Sequence, residues 1–408
     1  MVETIETVII GGGQAGLSLS YELQRAGREH VVLEKAARAG EAWRSQRWDS
    51  FTLITPNWSF ILPGAEIHRQ DPHGFMPRDE IVRCFEQYAA QHRLPVRYNT
   101  VATSVQPEEG GGYAVETDGG TLRACNVVMA TGLFQSEKVP VFAAQIPAAV
   151  AQVHCAAYRS PEALPPGGVL VAGSGQSGCQ IAEELLQAGR KVYLATGFAP
   201  FAPRRYRGRD FYEWANLSGF LDRTPDVLPS PAARFGSNPL LTGKDGGHSL
   251  DLHQLYRDGM ILLGRLQSIT DGCFFFAADL KENLAKGEKA RENMIALVDG
   301  YITRSGIDAP PEVLEFSRDA YQSPDILSLD PVEAGIGTVI WAGGFNFDYS
   351  LVKLPVTDNY GFPLTARGKT RFSGLYFLGM PWLYKQKSGL LLGVAQDAAY
   401  LAEQIAAS

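Results

Sequence analysis

Two stretches of this 408-residue chain say nearly the same thing. VIIGGGQAGLSLSYELQRAG runs from Val8 to Gly27, and VLVAGSGQSGCQIAEELLQAG runs from Val169 to Gly189. Each is an apolar, β-branched run, then a Gly-rich turn, then residues at helical spacing closed by a glycine. The G-x-G-x-x-G spacing gives the three glycines separate tasks. The first makes the tight turn, the second lets a pyrophosphate approach the backbone, and the third lets helix and strand pack closely. The helix that follows offers free N–H groups and a positive dipole end to phosphates. A chain with two such openings is constrained to an α/β fold with two Rossmann-like dinucleotide-binding domains. The first site comprises Gly11, Gly13, Gln14, Ala15 and Gly16; the second comprises Gly173, Gly175, Gln176, Ser177 and Gly178.

The two openings differ at the end of the next strand. Glu34, followed by Lys35, ends HVVLEK 23 residues after Gly11, where an acid hydrogen-bonds ribose hydroxyls. The same offset from Gly173 falls on Thr196, so the acid is missing. Downstream lies APRRYRGRD, with Arg204, Arg205, Arg207 and Arg209. A carboxylate repels a 2′-phosphate, whereas Thr and Arg accept one. The first site is therefore expected to hold FAD and the second NADPH, with Arg204 or Arg205 on the 2′-phosphate.

The rest of the chain fits around these units. Residues 101–132 read as a β-meander that ends in VVMATG, bringing Thr131 and Gly132 to the first site. Pro165-Pro166-Gly167-Gly168 reads as a boundary. The expected division is an FAD domain in two parts, 1–160 and 336–408, with an NADPH domain at 161–335 inserted between them. The inserted domain has a loop-rich stretch from 198 to about 266. Residues 280–303 have a helical pattern with Gly287 as its weak point, Phe274-Phe275-Phe276 reads as a buried strand, and 390–407 as a closing helix.

Composition excludes several classes. The five cysteines form no C-x-x-C pair, which argues against a disulfide scaffold, a structural zinc site and a dithiol reductase. A net charge of -7 argues against nucleic acid or an anionic membrane as partner. No apolar run is long enough to span a bilayer. The opening MVETIETVII has no basic n-region and passes straight into a strand, so a cytoplasmic protein is expected. No Ser-His-Asp, paired-carboxylate or metal constellation stands out.

GGGQAG, GEAWRSQRW after Glu34, VVMATG, GSGQSG and GLYFLG occur in order along nearly the whole chain. Together they resemble the class B flavoprotein monooxygenases, in a layout similar to the plant YUCCA enzymes. QRWDSFTLITPNW, DPHGFM, APRRYRGRD and SGLLLGVAQDA look like signatures of a short bacterial subgroup. One departure is clear: the usual F-x-G-x-x-x-H-x-x-x-[FYW] fingerprint has Ala148 and Val150 here, and keeps only His154 and Tyr158. That argues against a Baeyer–Villiger enzyme. The resemblance implies that His154 supports the linker between domains.

The resemblance also implies the reaction. Hydride passes from NADPH to FAD, O2 is captured at flavin C4a as a (hydro)peroxide, and a small organic substrate is oxygenated, most naturally at nitrogen or sulfur. Asn57 is the candidate for a hydrogen bond to the peroxide or to NADP+; Trp43 and Arg44 are expected against the flavin or its diphosphate, with Trp48 in the core. The closing helix is expected to begin near Ser388-Gly389-Leu390 and to aim its N–H groups at the reduced flavin. Gly379 allows close backbone approach, and Met380, Trp382, Tyr384 and Lys385 are candidates for the flavin edge. Two readings stay open beside this one: an NADPH oxidase or reductase, and a non-catalytic flavin-binding sensor. Homo-oligomer formation is also left open.

Overall fold

The computed structural model describes residues 3–65 and 71–407. The first sheet is built from β1 (Glu3–Ile10), β2 (His30–Leu33), β3 (Val96–Arg97), β4 (Ala102–Pro107), β5 (Tyr113–Thr117) and β6 (Gly120–Met129). Its order is β3-β2-β1-β6-β5-β4. β3, β2, β1 and β6 run parallel, while β4, β5 and β6 form the antiparallel meander. β1 is covered on both faces, which is why Val8, Ile9 and Ile10 are all apolar and buried. Helix α1 (Gln14–Arg25) packs Leu19 and Leu23 against Leu401 and Ile405 of the last helix, Val394–Ala406.

The second sheet repeats the plan. β8 (Ala151–His154), β9 (Gly168–Ala172), β10 (Val192–Ala195), β11 (Ile261–Leu263) and β12 (Ile336–Trp341) are all parallel, in the order β11-β10-β9-β12-β8. Helix α4 (Gln176–Gln187) follows β9 as α1 follows β1, with α2 (Glu41–Ser45) and α3 (Arg78–Gln91) between them in the chain. The chain crosses between the sheets twice, and the crossings pair with each other as β7 (Ser136–Glu137) and β13 (Phe345–Asn346). A final strand, β14 (Leu375–Phe377), returns beside β6. The fold is thus α/β with two Rossmann-like units, one inserted in the other.

Four expectations change. β8 and β12 belong to the second sheet, so it reaches past the boundaries at 161 and 335; a buried parallel strand such as GTVIW does not show in its own residues which sheet it joins. The long helix, Leu280–Ser305, runs unbroken through Gly287. A Cβ there would lie 2.9 Å from the Ala199 carbonyl oxygen and from the Phe201 ring, so the glycine is a packing requirement. Of the three phenylalanines, Phe274 and Phe276 are buried but Phe275 faces out, because the strand lies in a small three-stranded sheet with one open face. The closing helix starts at Val394, not near Leu390, since 386–389 form a separate 3-10 turn. That turn folds tightly on the preceding chain: a Cβ on Gly389 would meet Pro381 at 2.5 Å.

Candidate functional site

Each Gly-rich turn is a cradle that only glycine permits. Gly11 and Gly173 hold φ of +116° and +122°, in the region closed to most side chains. A Cβ on Gly16 would sit 1.9 Å from the Gly11 carbonyl oxygen, and one on Gly178 the same distance from that of Gly173. Beside Gly13 and Gly175 there is open space instead, with nothing within 4 Å of an added Cβ. No side chain caps α1 or α4, so the first-turn N–H groups of each helix face that space. Open room above an uncapped helix start is the shape a pyrophosphate needs.

Around the first turn the structure brings most of the expected residues together. Glu34 accepts from the N–H groups of Gly12 (2.7 Å) and Ala36 (2.8 Å), which fixes its carboxylate at the lip of the cradle. Thr131 lies beside Gly11, and Gln135 donates to its hydroxyl and to the Gly132 carbonyl. Gly379 abuts Ala15, where its own Cβ would stand 2.6 Å from that of Ala15. Gln14 donates to the Gly389 carbonyl at 2.8 Å, so the 386–389 turn sits over the start of α1. Ser388 is buried, and its hydroxyl accepts from the N–H groups of Tyr384 and Lys385. The Leu390 carbonyl accepts from Gly393 and Val394. Near this turn Asp397 is buried, and burial pushes its carboxyl above the ordinary value despite Arg367 at 3.7 Å. Lys35 is exposed.

The second turn departs further from expectation. Thr196 is buried and spends its hydroxyl on the Leu263 carbonyl at 2.7 Å, so it does not face solvent. Arg204 is buried too, bonded to Asp210 at 2.7 Å and to the Ile54 carbonyl at 2.7 Å, under the ring of Phe75. It ties the two halves together and has no reach toward a nucleotide. Arg207 and Arg209 are paired with Asp299 and Glu213. Arg205 is exposed, and among the described residues its guanidinium bonds only the carbonyls of Gly246 and Gly247. Gln176 is bonded to the backbone of Leu241, and Ser177 is half-buried on the first turn of α4. Ser174 bridges to Gly197 in place of the Gly12–Glu34 contact, so the second turn is braced by a hydroxyl where the first is braced by a carboxylate.

Between the turns lies helix α2 (Glu41–Ser45) and the segment after it. Arg44 is tied to Glu41 and Glu86, so its charge is spent locally. Trp43 is half-buried and lies 6.0 Å from Phe51. Trp48 is core, as expected. Asn57 is not free to contact a ligand: its amide donates to the Asp71 carbonyl, and its oxygen accepts from Met76 N–H, clasping the 71–76 loop. His154 bonds the Gly344 carbonyl at 3.1 Å and packs edge-on to Phe345, both at the second crossing.

Three features were not singled out from the sequence. Arg47 sits among Trp43, Phe51 and Phe134. Arg159 bonds the carbonyls of Ser45 and Arg47, stitching 45–49 to the second unit. Asp222 receives Lys385 (2.6 Å) and Lys387 (3.0 Å). The only sequence signal for Arg47 was its place in QRW; the other two rest on partners over a hundred residues away.

The family model for pyridine nucleotide-disulphide oxidoreductases matches residues 8–207. A CzcO-like oxidoreductase of Geobacillus kaustophilus is 33% identical, over 99% of both chains. A probable indole-3-pyruvate monooxygenase of Arabidopsis thaliana, YUCCA1, is 27% identical over 98% of this chain and 89% of its own. Among solved structures, the flavin-containing monooxygenase of Stenotrophomonas maltophilia covers 100% of this chain and 99% of its own, with a TM-score of 0.68 at 20% identity. Among the described residues, no helix is long and apolar enough to cross a membrane, and no group of His, Cys, Asp and Glu is placed to hold a metal.

Proposed function

Because the chain belongs to the CzcO-like oxidoreductases, we propose that it is a class B flavoprotein monooxygenase, dependent on NADPH and FAD and acting on small organic molecules, with nitrogen or sulfur oxygenation favoured. The observation that carries this is the pair of uncapped glycine cradles, only one of which has an acid at its lip. FAD belongs at the first and NADPH at the second. When bound, the flavin accepts hydride and activates O2.

The protein's own part is binding, orientation and exclusion of water. Gly11, Gly13 and Gly16 admit the FAD pyrophosphate to the start of α1, and Glu34 orients the ribose. Gly173, Gly175 and Gly178 do the same for NADPH at α4. Arg205, exposed and paired with no carboxylate among the described residues, is the residue for the 2′-phosphate. Trp43 and Phe134 lie against Arg47, and Phe345 lies against Phe134, at the crossings between the units. A soft nucleophile needs no strong acid or base from the protein, in keeping with side chains here that are already committed.

The cysteines do not suit a dithiol reductase. Burial raises the thiol of Cys155 to about 11 and that of Cys179 higher still, away from reactive thiolate. The test is oxygen and NADPH consumption by the FAD-loaded protein across a panel of amines and thioethers. Oxygenated product matching NADPH consumed supports the monooxygenase. Peroxide matching NADPH with every compound makes it an oxidase, and no NADPH consumption makes it a flavin-binding sensor.

A further inference from the structure

Most guanidinium groups around the two cradles are spent on the protein. Arg44 has two glutamates, Arg204 has Asp210, Arg207 has Asp299 and Arg209 has Glu213. Arg47 differs. Among the described residues its guanidinium makes one hydrogen bond, from a terminal nitrogen to the neighbouring Gln46 carbonyl, at 2.7 Å. That leaves Nε and the other terminal nitrogen, the side-on edge of the fork, without a partner among the described residues. No carboxylate pairs with it there either, and the Cys155 thiol is the one neighbour that favours its charged form. Desolvation draws its pKa down to about 10. A cation kept half out of water with no counter-charge is costly unless something supplies one.

The surroundings hold this cation in place and leave one edge open. Its guanidinium carbon lies 4.3 Å from the centre of the Phe134 ring, 5.3 Å from Trp43 and 5.4 Å from Phe51. Phe134 touches Phe345, which touches His154, each at 4.9 Å. Phe134 follows the carboxyl end of β6, and His154 ends β8. Ligands of open α/β sheets bind outside the carboxyl ends of strands, and here the ends of both sheets meet at this stack. On the neighbouring residue, the buried amide oxygen of Gln46 has no partner among the described residues. It is an acceptor, suited to an N–H or O–H group of the same ligand. The phosphates of both nucleotides have their own donors at the starts of α1 and α4, so they do not account for Arg47.

We propose that Arg47 is the subsite for the carboxylate of the substrate, gripping it side-on through Nε and its free terminal nitrogen, so that the protein acts on small organic acids. Trp43 and Phe134, which stack on the guanidinium, hold the fork in register with that carboxylate. Placing the substrate here follows the flavoenzyme reading above; the anion site itself does not depend on it.

Benzoate and benzamide, equal in shape and different in charge, are the probes. Binding is read twice in the full-length protein: by the visible spectrum of bound flavin and by tryptophan fluorescence, to which Trp43 contributes. Benzoate is expected to bind and benzamide to fail at the same concentration. Arg47→Lys should weaken benzoate about 10-fold and Arg47→Met about 100-fold, since a point charge keeps part of the attraction and a thioether none. FAD content and NADP+ affinity are measured on the same preparations. Equal binding of the two probes, no benzoate binding in the unaltered protein, or loss of NADP+ or FAD affinity with benzoate binding intact in the variants would each overturn the assignment. A protein that binds benzoate by fluorescence yet carries no flavin would keep the subsite and sink the monooxygenase reading instead. If Arg47→Met does not fold, Arg47→Lys carries the comparison.

Discussion

At the scale of single residues, Gly16 and Gly178 close their two turns in the same way, each against a carbonyl oxygen of the first glycine. Gly16 and Gly178 show in the sequence because only hydrogen fits 1.9 Å from a carbonyl oxygen. Their roles can be separated by the same change. Gly16→Ala forces α1 off the turn at a cost of ~1–3 kcal/mol, and the purified protein should lose most of its yellow colour. Gly178→Ala should keep the flavin and raise the KM for NADPH at least several-fold. Absorbance at the flavin band and steady-state kinetics read both; equal flavin loss in the two variants would contradict separate sites. Arg204 shows the opposite case. RRYRGRD looked like a phosphate-binding run, but folding gives Arg204 to Asp210, six residues on. Removing one partner of a buried pair leaves the other uncompensated, at ~3–5 kcal/mol. Arg204→Ala should therefore lower Tm steeply, whereas Arg205→Ala should raise the KM for NADPH about tenfold and leave that for NADH unchanged. The failure of Asn57 as a catalytic candidate has the same origin: its partners, Asp71 and Met76, lie on a loop that its own neighbourhood does not reveal.

At the scale of elements, strands and helices with strong periodicity matched their sequence signals, and the mismatches came from packing. Gly287 looked like a flaw in a helix. Replacing glycine by alanine within an exposed helix gains about 1 kcal/mol. Here the new Cβ would press on the Ala199 backbone at 2.9 Å, which cannot swing aside as a side chain can. Gly287→Ala is expected to lower Tm, and a rise would show that the 199–201 segment yields. The closing helix was misplaced by four residues because a 3-10 turn over the start of α1 has helix-like composition but is fixed by Gln14. Helix α4 carries a pH-sensitive contact as well. His248 bonds Glu183 at 2.8 Å, and that hydrogen bond raises the histidine pKa above 6.5. Its contribution to stability is full below the unfolded value of about 6.5 and fades as pH rises through the folded value. The difference in Tm between the natural protein and Glu183→Gln should thus be larger at pH 6 than at pH 8.5; a difference that is flat with pH would remove charge from this contact.

At the scale of the whole molecule, the duplication explains why two sites exist, and the crossings explain how they face each other. The sequence made the two units plain but hid the hinge, because β7 and β13 are two-residue strands with no periodicity to read. Their pairing is held by an alternating stack: Arg47 on Phe134, Phe134 on Phe345, Phe345 on His154. Hydride transfer between two bound nucleotides depends on alignment, and small misplacements are costly. Phe345 touches neither glycine cradle, so Phe345→Ala should leave FAD content and NADPH affinity close to those of the natural protein. It removes the ring that connects the first crossing to His154, and the units gain freedom about the hinge. Anaerobic stopped-flow reduction by saturating NADPH should then slow by about 10-fold, equivalent to ~1.4 kcal/mol of lost alignment. Leu133, half-buried next to Phe134 but outside the stack, is the control position, and Leu133→Ala should change reduction far less. Slow reduction in both variants would mean general loosening of the crossing, and unchanged reduction in Phe345→Ala would mean that the stack does not set the geometry between the sites.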